Sequence, residues 1–156
     1  MFTRMKQSRD GEYLQIVANY RDGSRVRQRM VLYVGHYESI DKALQSMPRL
    51  LTQARRKATV AERDVAFMRE NNYSGGMLKE EEERTRKLRA EADGLGQKLD
   101  ELRRLVADNP ELLTLDAARA ERHAERQQRR RAAVTKAWAE ARAAKGASLV
   151  TTPREA

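Results

Sequence analysis

Cysteine is absent from this chain of 156 residues, and its only histidines are His36 and His123. Without cysteine the chain can form no disulfide, no thiol nucleophile and none of the common zinc fingers. The two histidines lie far apart in sequence without a matching acid–nucleophile pattern, so we interpret each as a surface residue. No phosphate-binding loop, dinucleotide fingerprint or paired-histidine motif occurs. We therefore expect no enzymatic activity, no cofactor and no metal site.

Long apolar runs are also missing, and aromatic residues make up only 5% of the chain. Because no run approaches the length of a membrane span or a secretory signal, we expect a soluble protein of the bacterial cytoplasm or nucleoid, with no membrane partner. Alanine supplies much of the hydrophobic share, so large apolar side chains are scarce. This scarcity favours an extended helical architecture over a thick globular core.

The charge of the chain is basic and unevenly distributed, with a formal net charge of +9. Residues 1–36 carry seven basic and three acidic side chains, whereas residues 37–108 carry fifteen basic and fourteen acidic ones. The excess therefore lies at the two ends, around a nearly neutral spacer. Positive charge favours a polyanionic partner, although it does not determine the fold.

Residues 13–35 are rich in valine, isoleucine and tyrosine, and an Asp22-Gly23 pair lies midway between them. This composition predicts a β-hairpin. Residues 1–7 are basic and are followed by a turn signal, which makes a third strand and a three-stranded meander possible. The meander would be more stable than a hairpin alone, but its apolar face needs a helix to cover it.

The register of the hairpin decides which side chains share a face, because a one-residue slip turns a whole strand over. A two-residue Asp22-Gly23 turn would place arginines among the apolar side chains, so we predict a three-residue loop over 22–24. That register pairs Ile16 with Met30, Leu14 with Leu32, and Tyr20 with Val26. It also gathers a polar, arginine-rich set on the opposite face: Gln15, Asn19, Arg21, Arg25, Arg27 and Arg29.

This arginine-rich face has two interpretations, which the pattern alone leaves about equal. It can be the solvated side of a half-buried sheet. It can also bind nucleic acid, because the guanidinium fork suits phosphates and guanine edges and because a two-stranded ribbon fits the major groove.

Two motifs of the hairpin carry a family resemblance, namely Tyr20-Arg21-Asp22-Gly23 and Val26-Arg27-Gln28-Arg29, with Gly35 closing the segment. Residues 1–36 thereby resemble the N-terminus of insertion-sequence DDE transposases. Ser24 stands where a second glycine is common in that family, and His36-Tyr37 replaces a basic–aliphatic pair. The ribonuclease-H-like catalytic domain of the family has no counterpart in this sequence. The resemblance therefore implies a DNA-handling module without the transferase.

The rest of the chain has the pattern of helices. Ser39 is a candidate cap for a helix that begins at Ile40, and Pro48 suits the first turn of a second helix. Two apolar seams follow with alternating spacings of four and three residues, over 47–68 and 88–106. With a loop at 71–76 they predict an antiparallel αα-hairpin over 47–107. The alternative is an intermolecular coiled coil, and hence a homodimer or a protein partner.

A basic helix is predicted over residues 110–146, because Asn109 or Asp108 can cap it and Pro110 suits its first position. Residues 117–146 carry nine basic and three acidic side chains and almost no apolar stripe. The helix can be solvated surface, or it can lie along nucleic acid. Its candidate contacts are Arg126, Arg129, Arg130 and Arg131. Residues 147–156 are predicted to form a disordered tail.

These patterns together predict an α+β fold that is mostly α. A small antiparallel sheet with its covering helix occupies residues 1–51, followed by the helical hairpin and the basic helix. The leading functional hypothesis is a non-catalytic DNA-binding protein that resembles a transposase N-terminal module. The alternatives are a structural or adaptor protein whose helical hairpin binds a protein, and an RNA- or ribosome-binding protein. Only the resemblance favours DNA over RNA.

Overall fold

The computed structural model of the chain describes residues 1–73 and 75–148, with side chains as far as residue 142. Three antiparallel strands come first, in the order β1-β2-β3: β1 (Phe2–Ser8), β2 (Gly11–Asp22) and β3 (Arg25–Gly35). Three helices follow: α1 (Ile40–Glu70), α2 (Gly76–Asp108) and α3 (Glu111–Ser148). The predicted fold class, a small antiparallel sheet followed by helices, is confirmed.

The turn between β2 and β3 differs from the prediction. Asp22 pairs with Arg25, so the turn consists of only two residues, Gly23 and Ser24. Gly23 has a φ of 62°, whereas the φ of Ser24 is not positive. This is the pattern of a type II′ hairpin turn, in which the first central residue needs the left-handed backbone that glycine adopts readily. The predicted three-residue loop over 22–24 is therefore wrong.

A bulge in β3 changes the pairing further. Val17 pairs with Met30, but Ile16 pairs with Leu32, which leaves Val31 as an extra residue of β3. A bulge of this kind inverts the alternation of the strand beyond it. Met30 consequently lies on the face opposite Leu32 and is 54% exposed instead of facing α1. The predicted pairs Ile16–Met30, Leu14–Leu32 and Tyr20–Val26 are wrong.

The core lies between one face of the sheet and the three helices. Its buried members come from five elements: Leu14 and Ile16 from β2, Leu32 and Val34 from β3, Ile40, Ala43 and Met47 from α1, Leu99, Leu102 and Leu105 from α2, and Leu112 from α3. Leu14, Ile16 and Leu32 therefore share a core with the start of α1, as predicted. Ser39 caps α1, because the backbone N–H of Lys42 donates to Ser39 Oγ at 3.2 Å.

A buried carboxylate ties β1, α1 and α3 together at the edge of this core. Asp116 is 2% exposed, and its Oδ1 accepts a hydrogen bond from Thr3 Oγ1 at 2.8 Å. Its Oδ2 accepts one from the backbone N–H of Ile40 at 2.6 Å. Ile40 is the first residue of α1, where backbone N–H groups lack helical partners and a negative charge is favourable. Asp116 therefore fixes both β1 and the start of α1.

α1 is one continuous helix, although Pro48 stands inside it. The predicted second helix that begins at Pro48 is therefore wrong. Proline removes a backbone hydrogen bond inside a helix and costs about 3 kcal/mol there. Ala43 and Met47 are buried before the proline, and Ala58 is buried after it, so packing holds the helix on both sides.

α1 and α2 pack as an antiparallel hairpin within one chain, as predicted. Near the sheet, a methyl group placed on Gly96 of α2 would lie 3.7 Å from Leu51 Cδ1 of α1. Near the far end of the hairpin, Arg69 of α1 and Glu82 of α2 form an ion pair at 2.7 Å. The positions advance along α1 as they go back along α2, so the two seams meet inside the chain. Ser74, in the predicted loop over 71–76, lies outside the described residues.

We expect Gly94→Ala to raise the free energy of unfolding by about 1 kcal/mol, because glycine loses more backbone entropy in a helix than alanine does. A methyl group at position 94 meets no described atom within 4 Å. Urea denaturation of the purified protein measures this effect. Gly96→Ala is the comparison variant, because its added methyl group would make ordinary van der Waals contact with Leu51, whereas the one at position 94 contacts no described atom. A less stable Gly94→Ala protein would contradict the prediction.

The chain divides into two compact units, residues 1–117 and residues 118–156, and α3 begins in the first. Every residue from 128 to 142 is exposed. Of the predicted tail over 147–156, the last eight residues lie outside the described part, and α3 ends at Ser148. None of the helices in the described ranges combines the length and the apolar composition needed to cross a membrane.

Candidate nucleic-acid interface

The outer half of the β2–β3 hairpin is a ribbon of two strands. β1 pairs with β2 only from Gly11 to Val17, so among the described residues β2 and β3 alone are paired beyond that point. We call residues 18–30 the arm. Every residue from Asn19 to Met30 is exposed. Burial therefore does not constrain these side chains, which are available to contact a partner.

Strand pairing determines which side chains of the arm share a face. Tyr20 pairs with Arg27, and Ala18 follows Ile16 of the core by two positions. We call the face on the side of the core the inner face, and it carries Ala18, Tyr20, Asp22, Arg25, Arg27 and Arg29. The outer face carries Asn19, Arg21, Val26, Gln28 and Met30. Side chains alternate between the two faces because successive residues of a strand point in opposite directions.

The outer face of the arm continues into a hydrogen-bonded network on the sheet. Arg4 Nε donates to Gln15 Oε1 at 3.2 Å, and Arg4 Nη1 donates to Gln28 Oε1 at 3.0 Å. Gln15 Nε2 in turn donates to Met30 Sδ at 3.0 Å. Arg4 of β1 thus connects all three strands and positions the side chain of Gln28.

The predicted arginine-rich face is divided between the two sides of the hairpin. Gln15, Asn19 and Arg21 lie on the outer face, whereas the three arginines of β3 lie on the inner face. The prediction that all six residues share one face is wrong, because the two-residue turn pairs the arginines of β3 with Ala18, Tyr20 and Asp22. The arginines of β3 nevertheless stay exposed, since they stand in the arm beyond the packed part of the sheet. Gln15 is the exception among the six, being 5% exposed.

The arm is strongly basic for its length. It contains four arginines and one acidic residue, Asp22. Arg27 Nε lies 2.9 Å from Asp22 Oδ2, and both side chains are about half exposed, so this ion pair contributes less than about 1 kcal/mol. Paired strands lie about 4.8 Å apart, and a B-DNA major groove is about 12 Å wide, so a ribbon of this kind can enter the groove.

The C-terminal helix provides a second basic surface, in the unit that begins at residue 118. The predicted contacts Arg126, Arg129, Arg130 and Arg131 are all exposed there. Arg126 and Arg129 lie three positions apart and therefore share one side of the helix, as do Arg126 and Arg130 at four positions. Trp138 and Val134 are exposed as well. This part of α3 is therefore polar on most sides and presents its charge to solvent.

Neither histidine lies in the arm. His36 is exposed, and its Nδ1 lies 2.9 Å from the backbone oxygen of Glu12, while its ring meets Tyr13 edge-on. His123 is half-buried in α3. Within residues 1–73 and 75–148, no group of three or more histidine, aspartate or glutamate side chains is arranged to hold a metal ion.

Two residues of this surface are not identified by the sequence pattern. Arg4 links the strands and Val26 faces outward, whereas the pattern indicates no contact for Arg4 and places Val26 on the apolar side. The alternation of basic residues in 1–7 is the available signal for Arg4. The available signal for Val26 is Gly23, because its backbone permits a two-residue turn and this turn pairs Val26 with Arg21 of the outer face.

Residues 2–63 match the family model described as "IS1634 family transposase, N-terminal domain". The match covers about two-fifths of the chain, from the start of β1 into α1, and includes the whole arm. The resemblance to a transposase N-terminal segment is therefore confirmed, and it extends past residue 36. No curated protein and no solved structure matches the chain significantly.

Proposed function

We propose that this protein binds DNA without catalysing a reaction, and that the arm is its principal contact surface. The observation that carries the proposal is the arm itself, an exposed two-stranded ribbon with four arginines inside the segment that matches a transposase N-terminal domain. Arginine side chains in such a ribbon suit both phosphates and guanine edges. The net charge of +9 favours the same class of partner.

The basic part of α3 supports the same proposal. Its exposed arginines are suited to contacts with phosphates. Such contacts do not depend on base sequence, because every nucleotide presents the same phosphate group. In this proposal the arm supplies the principal contacts and α3 adds affinity. The residues assigned to α3 are Arg126, Arg129, Arg130 and Arg131.

An adaptor role is the second candidate, and one observation favours it. Large apolar side chains are exposed where α1 meets α2, namely Phe67, Tyr73 and Met77. Exposed apolar residues grouped at one end of a helical hairpin suit contact with another protein. These three side chains carry no positive charge for phosphates, so this surface and the arm favour different partners.

Titration of the full chain with fluorescent duplex DNA, single-stranded DNA and structured RNA over a series of salt concentrations tests the proposal. We expect the duplex to bind most tightly, with a logarithmic affinity that falls linearly with the logarithm of salt concentration. If structured RNA binds more tightly than duplex DNA at every salt concentration, RNA and not DNA is the partner. Lack of salt-dependent affinity for any nucleic acid at low ionic strength would refute the proposal in favour of the adaptor role.

A further inference from the structure

We infer that the outer face of the arm recognises base edges in the major groove of duplex DNA, while the inner face contacts the flanking phosphates. The inference rests on the proposed DNA binding and adds a division of labour between the two faces. It assigns sequence recognition to Asn19, Arg21, Val26 and Gln28, and sequence-independent affinity to Arg25, Arg27 and Arg29.

The first argument is the chemistry of the outer face. Asn19 and Gln28 are directly paired across the two strands, and Arg21 is paired with Val26. Asparagine and glutamine suit adenine, arginine suits guanine, and an aliphatic group suits the methyl group of thymine. The outer face of the arm thus combines three of the side-chain types that discriminate between base pairs in the major groove.

The inner face has a different composition. Its polar side chains are three arginines, one aspartate and Tyr20. The arginines of β3 recur at every second residue, about 6.6 Å apart along the strand. Arg27 neutralises Asp22 at 2.9 Å, so the face as a whole remains basic. Long, basic side chains that point away from the groove floor can still reach the phosphates beside it, and such contacts carry no direct base information.

The second argument is the approach that the fold allows. The core helices lie on the inner side of the sheet, because Ile16 and Leu32 share the core with Ile40. A duplex on the inner side of the arm would share that side of the sheet with these helices. The outer side of the arm is therefore the more open approach for a groove.

The third argument is preorganisation of Gln28. Arg4 Nη1 donates to Gln28 Oε1 at 3.0 Å, which limits the positions available to the glutamine side chain before any partner binds. The amide nitrogen of Gln28 can still donate, and its oxygen has a second lone pair. A side chain that is already positioned loses less conformational entropy on binding, which strengthens the contact.

Selection from a randomised duplex library, followed by sequencing, defines the sequence preferred by the wild-type full chain. The double variant Asn19→Ala with Gln28→Ala is then compared with wild type on the preferred duplex and on a scrambled one. Both residues are exposed and neutral, so neither the core nor the net charge changes. We expect the ratio of the two affinities to fall by between about 5-fold and 150-fold for each base interaction removed, with an unchanged salt slope.

The matched comparison is Arg25→Ala with Arg29→Ala on the inner face, which should weaken both duplexes equally and reduce the salt slope. Wild-type protein that binds duplex DNA in a salt-dependent manner but selects no sequence would overturn the inference and leave the proposed function standing. Unchanged discrimination in the outer-face variant, or abolished discrimination in the inner-face variant, would overturn it as well. Failure of the wild-type protein to bind any duplex would refute the proposed function itself. Circular dichroism of each variant checks that it is folded.

Discussion

Replacing Arg25, Arg27 and Arg29 together by alanine is expected to lower the affinity for duplex DNA and to make its salt dependence shallower. Each phosphate interaction that the substitutions remove should reduce the logarithmic salt slope by about 0.9, because fewer counterions are released on binding. Removing three such interactions would then reduce the slope by about 2.7. Fluorescence anisotropy at several salt concentrations measures both the affinity and the slope.

The control for this prediction removes three positive charges from the helical hairpin, by Lys57→Ala, Arg63→Ala and Lys79→Ala. These residues are also exposed, so the change in net charge is the same and the position differs. The control should keep most of the affinity and most of the slope. Equal losses in the two triple variants would mean that total charge governs binding and that the arm has no special role. The arm variant should stay folded, because its arginines are exposed and surface substitutions usually change stability by less than about 0.5 kcal/mol.

Replacing Asp116 by alanine is expected to destabilise the N-terminal unit by about 2–4 kcal/mol. The carboxylate is 2% exposed and accepts hydrogen bonds from Thr3 Oγ1 and from the backbone N–H of Ile40. Its removal withdraws the acceptor from two donors in a dry environment and also removes a negative charge from the start of α1. Urea denaturation measures this effect as a lower midpoint with an unchanged dependence on denaturant concentration.

Two further variants separate the contributions at this position. Asp116→Asn keeps an oxygen acceptor but loses the charge, so it should cost less than alanine. Thr3→Val removes only the hydroxyl donor and should cost about 1 kcal/mol. If Asp116→Ala had the stability of wild type, the carboxylate would contribute nothing to the position of β1 and α1.

Elements with a regular period were predictable from the sequence. The seams over 47–68 and 88–106 predicted the position of the αα-hairpin. Helical spacing recurs over many turns there, so the pattern stays recognisable despite Gly94 and Gly96. Ser39 marked the start of α1 through a local hydrogen bond. Pro48 was misleading, because its local preference for a first turn is outweighed by the burial of Met47 beside it.

The faces of the hairpin were not predictable in the same way. The alternation of side chains predicted that Met30 and Leu32 share one face of β3. The extra residue Val31 places them on opposite faces. Whether a strand contains a bulge depends on packing that a period of two residues does not reveal. Gly23 also permits a two-residue turn one position later than the Asp22-Gly23 pair indicated. The identities of the exposed arginines were therefore predicted, but the side to which each belongs was not.

Asp116 could not be predicted for another reason. It contacts Thr3 across 113 positions of sequence. An aspartate near the start of a helix is common, and the residues around it in the sequence do not indicate such a distant partner. The burial of a carboxylate depends on what folds over it. Only the assembled core of sheet and helices identifies this residue as structural.

The same long sequence separation governs the order in which the chain can fold. The apolar face of the sheet is covered in part by Leu99, Leu102 and Leu112, all of which are synthesised well after residue 63. The α1–α2 hairpin depends on nearer contacts, so it can form early, whereas closing β1 onto Asp116 requires contacts that are slow to form. During synthesis the part of the apolar face that α2 and α3 cover would thus stay exposed until these helices are made. The segment that carries the arm is made first, and we expect it to become fully folded last.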